Sequence, residues 1–136
     1  MHRRVAFGYF LVLAAVAALN YLPGLPRPDG VVFGIFALDV YDDALHLASA
    51  LWALAAALIS GRAARLFLIL FGAAYLLDGL LGLAFGSGYL DLGLLTAGVQ
   101  DLPLTFRLLA NAPHILLGGF ALAMGLKTPA PAGATR

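Results

Sequence analysis

Two histidines, His46 and His114, and one isolated aspartate, Asp78, are the residues whose type and placement could carry chemistry in this chain. Each histidine closes a short polar word of similar form, Asp43-Ala44-Leu45-His46 in one place and Asn111-Ala112-Pro113-His114 in the other. The first word ends a longer acidic run, Asp39-Val40-Tyr41-Asp42-Asp43, which opens into a long apolar stretch. Three kinds of chemistry suit such a set. Two imidazoles on separate helices can ligate haem iron axially, which makes His46 and His114 candidate ligands for haem b or another metal. A chain of His and Asp inside a membrane can relay protons or a small solute. The third role is structural. Asp42, Asp43 and Asn111 at helix starts accept hydrogen bonds from free N–H groups and suit the helix dipole, with each histidine reaching back as in a capping box. The structural role is the leading expectation: a structural or accessory protein, not an enzyme and without a cofactor. No serine stands in a nucleophile-elbow pattern.

The elements that must hold these residues are membrane helices. Hydrophobic residues make up 62% of the chain and charged ones 11%, against about 45–50% and about 25% in soluble domains. A spanning helix takes about 20 apolar residues, so four spans with their loops use up the 136 residues. The expected spans are 5–21, 43–60, 65–86 and 105–126, forming a single all-α four-helix bundle over residues 1–127. A tail, 128–136, lacks the means to pack. Net charge is +1 and cysteine is absent, which gives no footprint for nucleic acid and no disulfide or thiolate metal site. The expected partners are the lipid bilayer, a second copy of the chain or other membrane proteins.

In chain order, Met1-His2-Arg3-Arg4 and the apolar run over 5–19 have the form of a secretory signal. A retained first span is the preferred reading. Prolines 23, 26 and 28 break the next stretch, and its apolar part, 31–38, suits an interfacial or re-entrant segment. Gly61-Arg62-Ala63-Ala64-Arg65 reads as a tight basic turn. Gly86-Ser87-Gly88 ends the third span, and a second loop runs to 104. Basic residues mark the cytoplasmic side. Arg3, Arg4, Arg62, Arg65, Lys127 and Arg136 fall on one side and the aspartates, Asp78 apart, on the other with Arg27 and Arg107, so both termini are expected inside a bacterial cytoplasmic membrane.

An offset of 68 aligns His46 with His114 and also pairs 52–58 with 120–126. Phe7-Gly8 and Phe71-Gly72 pair more loosely. This predicts two similar hairpins in a parallel repeat. Counting 1.5 Å per helical residue from the basic ends puts Asn20, His46, Asp78 and His114 about 20–24 Å up, one polar layer across four helices. Ionisable groups at that depth face the bundle interior and pair. Small residues below them, Ala50, Ala53 and Ala57 under His46 and Gly118, Ala121 and Gly125 under His114, form seams of close approach.

The words Asp39-Val40-Tyr41-Asp42-Asp43-Ala44-Leu45-His46-Leu47 and Asn111-Ala112-Pro113-His114, with Gly72-Ala73-Ala74-Tyr75 between them, resemble a bacterial four-helix membrane family of unknown function. Its members carry Asn-x-x-His-Asn-x-x-His-Leu before helix two and Asp-Asn-x-x-His-Leu before helix four. His46, Asn111 and His114 match. Asp39, Asp42 and Asp43 replace Asn, His and Asn. The resemblance covers about residues 5 to 126 and implies a fold and a membrane address, without an activity.

Overall fold

The computed structural model describes residues 1–24, Val32 and residues 40–127. The expectations for the proline-rich loop, Asp29, Asp39 and the tail lie outside the described residues. Those described are all-helical. The elements are α1 (His2–Ala18), a 3-10 turn (Leu19–Tyr21), α2 (Val40–Ile59), α3 (Gly61–Phe85), the short α4 (Gly93–Thr96) and α5 (Leu104–Leu126). Four of them, α1 with its 3-10 turn, α2, α3 and α5, are long and apolar enough to cross a membrane, the pattern of a multi-pass membrane protein.

Two expectations change. The basic turn over 61–65 is helix, and the break between α2 and α3 is Ser60 alone, in an extended conformation with φ −166° and ψ 166°. Its hydroxyl oxygen accepts from the Ala63 N–H at 3.0 Å. One free N–H is thereby satisfied, and the alanines and arginines that follow are good helix formers, so α3 restarts at once. The last helix begins at Leu104, with Pro103 at its cap. Asn111 and Pro113 therefore lie inside α5 and do not open it. Pro113 can donate no main-chain bond to Leu109, which an apolar bundle tolerates because neighbouring groups compensate.

Packing joins the helices in two hairpins. The α3–α5 contact is the most extensive, α1–α2 comes second, and α3 also meets both α1 and α2. Glycines set the distance in the second hairpin. A Cβ on Gly72 would strike the main chain of Leu122 and Gly118, and one on Gly118 the main chain of Leu76. In the first hairpin alanines do this work: Ala6, Ala50 and Ala53 are buried. Between the pairs runs an aromatic ladder on one face of α3, Phe67, Phe71 and Tyr75, with successive centroids 5.1 and 4.0 Å apart. The i, i+4 spacing makes them neighbours. Tyr9 of α1 meets Phe71 edge-on at 5.3 Å, and Trp52 of α2 meets Phe67 at 5.0 Å. Outside, Leu11, Leu51, Leu66, Leu116 and Phe120 are more than half exposed, a surface suited to lipid tails.

Candidate functional site

The aromatic ladder of α3 ends in a charge. Asp78 stands three residues beyond Tyr75 on the same face and is 2% exposed. Its Oδ2 lies 2.5 Å from Nδ1 of His114. Its Oδ1 accepts from the main-chain N–H groups of Tyr89 at 2.6 Å and Leu90 at 2.9 Å. Three donors on one carboxylate satisfy a charge that burial alone would penalise. They also tie the start of the α3–α4 loop to the bundle. Gly88 permits this, since a Cβ there would meet both oxygens of Asp78, at 2.5 and 2.7 Å. The Tyr89 hydroxyl folds back to the Ala74 carbonyl at 3.2 Å; partial burial, then the Asp78 charge, push its pKa above the usual 10.0.

His46 faces this pair from α2. Its Nδ1 donates to the Asp42 carbonyl one turn back at 2.7 Å, because a carbonyl can only accept. This replaces the capping-box geometry expected of it: α2 starts at Val40, so Asp42 and Asp43 lie within its first turn, and the imidazole bonds a carbonyl instead of an N–H. The His46 and His114 ring centroids are 6.1 Å apart, and Tyr75 stands 5.0 Å from His114 and 6.3 Å from His46. The Tyr75 hydroxyl meets Ser49 Oγ at 3.4 Å.

Each histidine thus commits Nδ1 and leaves Nε2 for other bonds. Neither Nε2 has a partner among the described residues, and the only fully buried side-chain polar atom left unpaired there is Nε of Arg107. Both histidines line a cavity of about 450 Å³, together with Asp42, Asp78, Asp91 and Gln100 among others. Among the described residues no lysine or arginine lines it.

Of the four residues expected in one polar layer, His46, Asp78 and His114 come together. Asn20 does not join them. It sits in the 3-10 turn after α1, and its Nδ2 donates to both carboxylate oxygens of Asp43, each at 3.1 Å, closing the first hairpin beside the cavity. Asn111 is no helix-start group. Its Nδ2 donates to the Arg107 carbonyl at 2.8 Å, one turn back in α5, and a Cβ on Gly82 would collide with its side-chain amide.

Sequence reasoning passed over Arg107, whose Nη1 donates to the Ala84 carbonyl at 3.0 Å and the Leu83 carbonyl at 3.3 Å. It caps the end of α3 where cations suit the dipole. Tyr75 carried a signal, its position three before Asp78, whereas Asp91 and Gln100 stand in the loop region and carried none.

No group of three or more His, Cys, Asp or Glu among the described residues is arranged to hold a metal ion. Below the cluster the core is apolar: Phe71, Phe67, Leu68, Ala53 and Ala64 are buried, so the polar groups form a chamber at one end of the bundle. Compared with protein-family models, with curated proteins and with solved structures, the chain matches none.

Proposed function

We propose that this protein is a non-catalytic, accessory protein of a bacterial cytoplasmic membrane that binds a small cationic hydrogen-bond donor in the His46–Asp78–His114 chamber. One observation carries the reading: the chamber is lined by acceptors. Asp42, Asp78 and Asp91 bring negative charge, the two Nδ1-anchored imidazoles offer Nε2 lone pairs, and among the described residues no basic side chain lines the chamber. A low-dielectric wall strengthens attraction for a positive guest. Small amines fit this chemistry. The test is calorimetric titration of purified protein with ethanolamine and ethylammonium, against the neutral alcohol of equal size. Saturable binding of the amines alone, lost in His46→Phe and His114→Phe, supports the reading. Equal binding of the alcohol, or none, sinks it.

A second reading has an observation of its own. Histidines that bind metal donate their other N–H to a carboxylate or main-chain carbonyl, which is how His114 and His46 are held. A haem or metal ion shared by their Nε2 atoms would give a visible band or a stoichiometric elemental signal in protein purified from the membrane. The relay through the same groups has no polar continuation through the apolar core among the described residues.

The parallel repeat also belongs to the proposal, on two supports. His46 and His114 face each other across the chamber, as equal depth requires. In each hairpin an arginine near the start of the first helix bonds the last carbonyls of the second: Arg3 Nε to Ala57 at 2.6 Å, and Arg65 Nε to Gly125 at 3.0 Å. Arg3, Arg65, His2 and Lys127 share one end of the bundle through these bonds and that of His2 Nε2 to the Lys127 carbonyl. With both termini at the cytoplasmic face, single cysteines placed in this cysteine-free chain at Arg62 and at Ser87 would label from opposite sides.

A further inference from the structure

The basic end of the bundle holds a second, larger hollow of about 1040 Å³, between the start of α1 and the junction of α2 with α3. Four arginines line it: Arg3, Arg4, Arg62 and Arg65. Two are engaged, Arg3 with the Ala57 and Leu58 carbonyls and Arg65 with Gly125. Arg4 and Arg62 make no hydrogen bond or ion pair with the described residues. Among the described residues no carboxylate lines the hollow. The chain has no glutamate, and Asp42, Asp78 and Asp91 line the other cavity. The remaining walls include Phe7 and Leu58, 45% and 65% exposed.

From this we infer that the hollow is a binding site for the headgroup of an anionic phospholipid. Arg4 and Arg62 each lie in the first turn of a membrane helix, which is headgroup depth when the spans cross the bilayer. A guanidinium presents paired donors matched to a phosphate. The two engaged arginines add charge without competing for the same oxygens, and the ends of α1 and α3 add the positive side of two helix dipoles. A free phosphate would use only this polar floor. Phe7 and Leu58 favour a ligand whose phosphate continues into acyl chains, and basic pockets between membrane helices bind such lipids.

The test is native mass spectrometry of the detergent-purified full chain with equal amounts of phosphatidylglycerol and phosphatidylcholine. Phosphatidylglycerol is retained in preference, and Arg62→Gln and Arg4→Gln each lower that preference about fivefold. The double variant binds both lipids alike. Lys127→Gln, which removes the same charge at the same end outside the hollow, leaves the preference in place. An excess of inorganic phosphate leaves the lipid bound. Equal retention of the two lipids by the wild type overturns the assignment. So does an equal loss in Lys127→Gln, which would mean diffuse charge, and so does displacement by inorganic phosphate, which would mean a site for the free anion. The double variant must keep the wild-type melting temperature; both arginines are exposed, so their removal takes no core contact.

Discussion

The two hairpins use the same plan at different separations. In α1–α2 the helices touch through alanines, and a neutral amide, Asn20, bonds the carboxylate of Asp43 at the end where the chain passes from α1 to α2. In α3–α5 glycines bring main chain against main chain, and the bond toward the connecting loop is between Asp78 and His114. Closer approach is what lets the second hairpin seal an ionisable pair. Gly79 shows this directly, since a Cβ there would meet the Cβ of His114 at 3.1 Å. The contrast is sharpest at Gly8 and Gly72, which the internal alignment pairs. The first has open space around its missing Cβ, and the second has the main chain of α5.

The largest expected effect separates those two glycines. Gly72→Ala forces α3 and α5 apart and costs about 3 kcal/mol, whereas Gly8→Ala gains about 0.5–1 kcal/mol from helix propensity. Thermal unfolding in detergent reads both, and equal shifts would erase the difference between the hairpins. Next comes the pair of carboxylates. Asp78→Asn weakens three hydrogen bonds at a buried site and costs about 2–3 kcal/mol, while Asp43→Asn, next to a neutral partner, costs about 1 kcal/mol. A reversed order would place the sealed pair in the wrong hairpin. Gly88→Ala pushes on the Asp78 carboxylate from the loop side and costs about 1–2 kcal/mol; proteolysis within 87–100 would quicken more than global unfolding. The smallest change, Ser60→Ala, removes the cap between the hairpins for about 1 kcal/mol, and it should leave ligand binding in the chamber untouched.

Several of these features could be read before any fold was known. Four long apolar runs and the segregation of basic from acidic residues followed from the 62% hydrophobic composition and the placing of eight basic side chains, because an apolar helix has few choices other than a membrane. Counting turns put His46, Asp78 and His114 at one level, and the structure brings the three side chains together. Depth is one coordinate, however. Asn20 has a suitable depth too and pairs elsewhere, because which residues meet also depends on rotation about each helix axis, and the close α3–α5 contact fixes that. The polar words misled for a related reason: Asn111-Ala112-Pro113 looks like a helix start locally, but the run from Leu104 onward is helical and apolar enough to carry α5 through it.

The sequence by itself determined the class of molecule and the number and rough extent of its long helices, since hydrophobicity, length and rise per residue act locally along the chain. The tertiary structure alone decided that His114 holds Asp78, that the loop after α3 closes on the same carboxylate, and that the arginines at the far end divide into two that cap helices and two that face an open hollow. Those outcomes depend on distances between helices, and these are set by glycines meeting main chain from another part of the sequence.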